Sequence, residues 1–323
     1  MSTEPQTPQQ AEDPRLAHFP VPFFASVMGL SGVTLALHTA GFDGISLVVL
    51  GLAVVAFAVL AFVYTLKALR HPAAVAAEWQ HPVKLAFFPA MSISLLLIAT
   101  ALRPVLPELA RIVWLVGALA QGALTLAVLS NWIGHRSFQT IHMSPAWFIP
   151  AVGNVVAPVA GVALGFVETS WLFFSAGMIF WLVLLVLVMN RLMFHDPLPG
   201  RMVPTLAILI APPAVGFLAW LQLNGGVLDG FARFLFGAAL VFFALAATQV
   251  AKLRGLPFAL SWWALSFPMA ALTIASFRFG ALSGSAGHEV GGYVLLALLC
   301  AIVAGLVWRT GLAIARGEIC QPE

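Results

Sequence analysis

Ten apolar stretches alternate with short polar breaks along the chain: 20–40, 45–69, 83–103, 108–132, 145–166, 170–194, 202–223, 227–251, 258–279 and 289–314. A helix of about 22 residues rises roughly 33 Å, enough to cross the hydrocarbon core of a bilayer with modest tilt. A second period is laid over the first. Proline interrupts the odd-numbered stretches, at Pro20 and Pro22, Pro89, Pro150, Pro212 with Pro213, and Pro268, and the even-numbered stretches that follow have none. These marks recur about every sixty residues, the length of a hairpin that crosses the bilayer twice and includes two loops. The pattern predicts an all-α integral membrane protein of ten transmembrane helices built as five tandem hairpins. Proline removes a backbone donor and bends a helix, which lipid tolerates only where protein or a water-filled cavity lies alongside. The odd helices are therefore expected to form an inner ring of kinked helices around a pore, with the even helices outside.

Side-chain texture points the same way. Even stretches include runs such as Ile45–Leu60 and Trp181–Met189 that are apolar around the whole helix, as a lipid-facing element is. Odd stretches carry small and hydroxylic residues: Ser26, Gly29, Ser31, Gly32 and Thr34 in the first, Ser92 and Ser94 in the third, Thr273 and Ser276 in the ninth. In the fifth, Gly153, Ala157, Gly161 and Gly165 recur at four-residue intervals and make one smooth face. Close helix packing is one reading of that face, and a pore wall is the other.

Composition removes the soluble classes. With 61% hydrophobic and 8% charged residues the chain lies far from globular usage, where charged residues make up about a quarter. The formal charge of +3 is a topology signal. An N-terminus placed inside puts Arg15, Lys67, Arg70, Lys84, Arg136, Arg191, Arg201, Lys252, Arg254, Arg309 and Arg316 on the cytoplasmic side, and leaves Arg103, Arg111, Arg233 and Arg278 outside. The basic residues are scattered without interleaved aromatics, which argues against nucleic acid as a partner. Residues 1–18, acidic and rich in Gln and Pro, are expected to be a disordered cytoplasmic tail, 19–316 the ten-helix transmembrane channel domain, and 317–323 a second cytoplasmic tail. With tails this short, control by kinases acting on them is not expected.

Chemistry at depth is sparse. No Asp, Glu, Lys or Arg falls near the middle of an odd stretch, and a charge at the bilayer centre costs at least about 2.5 kcal/mol. A path lined by small residues, hydroxyls and aromatic rings, with broken helices exposing amides and positive helix ends, favours anions and binds them weakly. Cys300 and Cys320 supply neither a disulfide scaffold nor a metal site. His135 and His142 flank Arg136 seven residues apart and lack a third ligand, so no metal and no cofactor is expected. No Gly-x-Ser-x-Gly, His-Glu-x-x-His or Cys-x-x-Cys pattern or buried carboxylate pair suggests an enzyme. Asn154, four residues after Pro150, either satisfies a backbone group that the proline frees or lines the pore. Arg278 either snorkels or draws anions to the outer mouth. Gln121 and Gln249 are read as interhelical hydrogen-bond partners.

The ninth stretch adds specificity. Ser261–Phe279 reads SWWALSFPMAALTIASFRF, with Trp-Trp-x-x-x-Phe-Pro ahead of an Ala/Thr-rich helix. It resembles the tellurite-resistance/dicarboxylate transporter family, which includes bacterial TehA proteins and plant slow-type anion channels. Ten spans, prolines in the odd helices, Phe19-Pro20 and Phe88-Pro89 extend the resemblance over the whole membrane part. The resemblance implies a homotrimer in the plasma membrane, the inner membrane of a bacterium, with a pore in each protomer. It makes Phe267 a gate that plugs the pore beside the Pro268 bend, and Thr273 a pore-lining position. Pore-lining candidates are then Pro22, Gly29, Phe88, Pro89, Pro150, Asn154, Pro213 and Thr273. Trp262 and Trp263 match paired aromatic positions close to the helix start, where an interfacial belt also places tryptophan.

Two functions follow. One is a gated anion channel passing small anions such as chloride and nitrate. The other is a proton-coupled carrier for dicarboxylates or oxyanions such as malate, sulfite or tellurite, which needs a titratable group in the path; His38 and Glu168, near span ends, are the candidates. Phe267 has a second reading as one of 25 phenylalanines that simply packs. The fifth and seventh stretches carry Ile149-Pro150 and Ala211-Pro212-Pro213 in place of Phe-Pro, so the side chains lack fivefold symmetry.

Overall fold

A computed structural model describes residues 14–134 and 138–321. Residues 1–13 of the expected N-terminal tail, His135 and Arg136 of the loop with paired histidines, and the last two residues lie outside the described residues. The described residues are helical, and nine of their helices are long and apolar enough to cross a membrane. In chain order the apolar helices are α1 (Val21–Thr39), α2 (Asp43–Arg70), α3 (Lys84–Leu102), α4 (Pro107–Gly134), α5 (Pro145–Gly161), α6 (Val167–Phe194), α7 (Gly200–Leu223), α8 (Gly230–Thr248), α9 (Leu260–Ser283) and α10 (Ala286–Ala315). The protein is an all-α membrane protein. The fifth stretch is the short one: it stops at Gly161, and the chain turns through Gly165 at φ +90°, a left-handed conformation that glycine adopts without steric cost.

Burial separates the helices into two classes. In α1, α3, α7 and α9 between 67% and 83% of the apolar window is buried within the chain, against 17% to 33% in α2, α4, α6, α8 and α10. The second class are unbroken α-helices of 19 to 30 residues whose exposed surface is Leu, Val, Ile and Phe. Each buries one stripe. On α6 that stripe is Ser170, Phe174, Gly177, Trp181, Leu184, Val188 and Arg191, spaced three or four apart as a single helix face requires.

The prolines do more than bend the first class. Every odd segment opens with a 3₁₀ turn and changes to α geometry beside its proline: Val21–Phe23 leads into Phe24–Thr39, Lys84–Phe87 into Ala90–Leu102, Gly200–Ile210 into Ala211–Leu223, and Leu260–Leu265 into Ser266–Ser283. In α5 the two geometries alternate in short pieces, Pro145–Trp147, Phe148–Val152, Gly153–Val156 and Ala157–Gly161. Pro212, Pro213 and Pro268 fall in the first turn of the α portion, where the missing N–H has no intrahelical acceptor to lose. The eleven-residue 3₁₀ run of α7 is long for that geometry, and Pro204 sits inside it.

Hydroxyls on these helices are used locally. Ser26 donates to the Phe23 carbonyl, Ser92 to Pro89, Ser94 to Ala90, Ser266 to Trp263 and Thr273 to Met269, at 2.6 to 2.9 Å. Each returns a bond to a carbonyl three or four residues back, close to where proline or the change of helix type weakens the ladder. Glycines let the backbones approach. A Cβ on Gly29 would lie 2.4 Å from the Ser266 hydroxyl, and one on Gly161 2.5 Å from both Trp114 and Ser170. The small face of α5 is thus filled by α4 and α6 at Gly161, and Gly177 of α6 admits Val155.

Candidate functional site

A partly open cavity of about 60 Å³ lies where α1, α3, α5, α7 and α9 converge, and no residue of an even-numbered helix lines it. The wall is apolar: Ala25 and Met28, Phe87 and Ile93, Phe148 to Val156 in part, Ile208 to Val215 in part, and Leu260, Trp263, Ala264, Phe267 and Pro268. Farther along α9, Thr273 and Ser276 are buried and take no part in the wall.

The 3₁₀ openings shape this space, because a 3₁₀ turn advances about 2.0 Å per residue against 1.5 Å in an α-helix and rotates successive side chains differently. Phe267 follows the last 3₁₀ residue by two positions, and it is only partly buried although its neighbours Ser266 and Pro268 are buried. Its ring faces the cavity. Below it Trp263, 2% exposed, is oriented by its indole N–H, which donates to the Thr310 hydroxyl of α10 at 3.0 Å. At the mouth, the Ser261 hydroxyl donates to the Arg201 carbonyl and ties the opening turn of α9 to that of α7.

Of the gate and pore-lining candidates, Phe267 and Pro268 line this wall, and Pro22, Gly29, Phe88, Pro89, Pro150, Asn154, Pro213 and Thr273 do not. Gly29 is pressed against Ser266. Phe88 packs edge-on against Tyr64 and Trp79, and its neighbour Phe87 borders the cavity. Pro212 reaches the wall where Pro213 does not, and Pro22 and Pro89 lie at the helix-type junctions without lining it. The Pro150 carbonyl accepts from Thr125 at 2.8 Å and from Gln121 at 3.3 Å. Asn154 donates to the Ala151 carbonyl at 2.7 Å and to the Thr125 hydroxyl at 3.0 Å, so its amide serves backbone and a neighbouring helix. Thr273 spends its hydroxyl on Met269. Gln121 does bridge helices, taking a 2.7 Å bond from Ser92, whereas Gln249 bonds to adjacent Thr248 at the end of α8. Arg278 is exposed.

Sequence reasoning missed two buried cations. Lys67, 1% exposed, lies 2.7 Å from the Glu78 carboxylate and donates to the Phe19 carbonyl at 2.8 Å. Tyr64 donates to the same carboxylate at 2.9 Å, and the Val21 amide reaches its other oxygen at 3.3 Å. The short helix Pro72–Gln80 that carries Glu78 is thereby fastened to the opening turn of α1. The spacing of Lys67 and Glu78 about the His71-Pro72 break was the available signal. Arg191, also 1% exposed, sits in the last turns of α6 with one nitrogen on the Asp196 carbonyl.

Titratable groups stay away from the cavity. His38 and Asp43 pair at 2.6 Å beside a second, separate pocket of about 100 Å³ at the far end of α1, lined also by Thr34 and Ser46. Glu168 lies in the first turn of α6. Asp229 caps α8; the bond it accepts from the Ala232 amide, with smaller help from the Trp220 indole and Asn224, holds its carboxyl below the usual carboxylate range. Among the described residues no group of three or more His, Cys, Asp or Glu could hold a metal.

Comparison with known proteins places this architecture. A family profile described as a voltage-dependent anion channel matches residues 18–311. The S-type anion channel SLAH3 of Arabidopsis thaliana is 31% identical over 254 residues, covering 78% of this chain and 40% of the relative. The guard cell S-type anion channel SLAC1 of the same plant is 25% identical over 330 residues, 94% of this chain and 59% of the relative. The tellurite resistance protein TehA homolog of Haemophilus influenzae is 29% identical over 272 residues, 81% of this chain and 82% of the relative. The chain spans roughly half the length of the plant relatives it matches and most of the bacterial one.

Proposed function

Because this chain belongs to the voltage-dependent anion channel family, we propose that it is a gated anion channel, passing small anions such as chloride and nitrate through a central path closed by the Phe267 ring. The observation that carries this reading is the cavity itself: all five proline-bearing segments contribute to it, no outer helix does, and Phe267 is part of its wall. Ten segments then act as five hairpins, with odd members around the path. An apolar constriction of this kind holds no stable water, since water needs two to four polar partners, and it excludes ions by staying dry. A partly buried ring beside an empty space can swing aside at the cost of a strained rotamer, about 0.5–1.5 kcal/mol.

Anion preference has two supports. The wall contains no carboxylate, and the α portions that begin at Phe24, Ala90, Ala211 and Ser266 direct their positive dipole ends toward the cavity half of the bundle. The carrier reading has less support, because His38 and Glu168 stand apart from the path. The excess of basic residues on one set of loops supports a plasma-membrane protein with both termini in the cytoplasm. The apolar outer helices give surface for lipid and for the homotrimer that the family resemblance implies.

Chloride and nitrate flux into liposomes containing the full chain, without a proton gradient, tests the reading. Wild type is expected to be nearly silent and Phe267→Ala to conduct at least tenfold more. Equal flux in a folded Phe267→Ala protein would remove the gate, and flux that appears only with a proton gradient and a dicarboxylate would replace the channel by a carrier.

A further inference from the structure

Arg191 carries the only guanidinium among the described residues with buried nitrogens that lack a partner: Nε and Nη2 are both unsatisfied, while one bond joins the side chain to the Asp196 carbonyl. Leaving such a charge without acceptors is costly, so the arrangement calls for an acceptor that the chain does not supply. Other orphaned groups gather at the same end of the bundle. Ser144 Oγ and Trp147 Nε1, at the opening turn of α5, and Trp132 Nε1, near the end of α4, are buried and unpartnered. The Trp132 and Trp147 rings stack with centroids 4.4 Å apart.

Helix register brings Arg191 to the level of this group. α5 and α6 run antiparallel, with Gly161 against Ser170 and Val155 against Gly177. Following the buried stripe of α6 through Trp181, Leu184 and Val188 puts Arg191 level with the stretch that leads into Ser144. The linker that accepts its one bond runs into α7, whose 3₁₀ run Gly200–Ile210 packs on Pro145–Trp147.

The chemistry of the group is one-sided. Indole and guanidinium nitrogens only donate, and the serine hydroxyl can do so. A water molecule would accept from this set but would bring two protons of its own with a single hydroxyl to receive them. An anion accepts without bringing donors, and the fixed positive charge favours it.

We propose that Arg191, with Ser144 and Trp147, forms a binding site for one small inorganic anion at the end of the bundle where α5 opens, one residue from the cavity wall at Phe148. Its role as a station that loads the path rests on the channel reading; the binding itself does not. Full occupancy leaves the anion held by charge-assisted bonds beside the apolar constriction, ready to move when Phe267 swings away.

Purified full-length protein, titrated with sodium bromide or sodium nitrate against gluconate at constant ionic strength, reads binding through tryptophan fluorescence and thermal unfolding without any transport. Wild type is expected to show a saturable response, weakened about tenfold or more by Arg191→Gln, and by a smaller factor in Trp147→Phe, which keeps the stacked ring and loses the N–H. Arg278→Gln, which changes an exposed arginine, is expected to bind as wild type does. No saturable response in wild type, or the same response in Arg191→Gln and Trp147→Phe, would overturn the site. If Arg191→Gln fails to fold, Trp147→Phe decides. Liposomes that stay silent even with Phe267→Ala, with bromide binding intact, would remove the channel reading and leave the site standing.

Discussion

Two buried regions a few turns apart solve opposite problems. Around Lys67 the chain takes a full charge out of water and surrounds it with a carboxylate, a backbone carbonyl and a tyrosine ring at 5.5 Å. Around Phe267 it gathers five segments and supplies no charge at all. The first region is over-determined: each group has a partner, and moving one breaks several bonds. The second is held by packing alone on one side and faces empty space on the other, so it can change shape cheaply. A protein that must be rigid at its opening turns and yielding at its centre has reason to spend polar contacts at the first place and withhold them from the second.

The largest expected effect comes from breaking the polar region. Glu78→Ala leaves Lys67 buried without its carboxylate, and removal of one partner from such a pair costs about 3–5 kcal/mol; a large fall in unfolding temperature checks it. Replacing both, as Lys67→Met with Glu78→Gln, is expected to restore most of the loss, since the lone charge is then gone. A single and a double variant of equal stability would mean that the unpaired Lys67 charge carries no penalty of its own.

The next effect is a contrast between two phenylalanines. Phe217 is fully buried in α7 among Phe236 and Phe279, and Phe217→Ala is expected to cost about 3–5 kcal/mol. Phe267→Ala only enlarges a cavity that already exists and should cost about 1 kcal/mol by the same unfolding measurement. Equal losses would mean that Phe267 is packed as firmly as the core and is no moving part.

The smallest effect sharpens the boundary between the regions. Thr310→Val takes the acceptor from the Trp263 indole and is expected to cost about 1 kcal/mol. Because Trp263 lies in the cavity wall below Phe267, the same variant should also raise basal anion flux modestly. Loss of stability with flux unchanged would separate Trp263 from the gate.

The helical membrane class and the two kinds of helix were legible from the chain, because each rests on local chemistry. Proline cannot donate, long apolar runs cannot stay in water, and the Trp-Trp-x-x-x-Phe-Pro stretch carries its own resemblance. Side-chain direction was not legible. Whether Phe87 or Phe88 meets the cavity, and whether Pro212 or Pro213 does, depends on how many residues are wound as 3₁₀ before the α portion starts. That count is set by what the segment packs against. The same holds for hydroxyls that looked like a polar lining: Ser92, Ser94 and Thr273 are drawn to carbonyls of their own helices once the neighbouring backbones come close enough to exclude water.

The sequence by itself thus determined which segments enter the membrane, which of them are broken, and where along each the break falls, since these follow from hydropathy and from the chemistry of proline residue by residue. Only the tertiary structure decided that the five broken segments converge on one apolar cavity, that Lys67 has a carboxylate from the helix beyond the next turn, and that Arg191 has nitrogens without acceptors. Those are relations between segments far apart in the chain. They arise when backbones pack through Gly29, Gly161 and Gly177 at distances that admit no larger side chain, and no pattern within one segment encodes them.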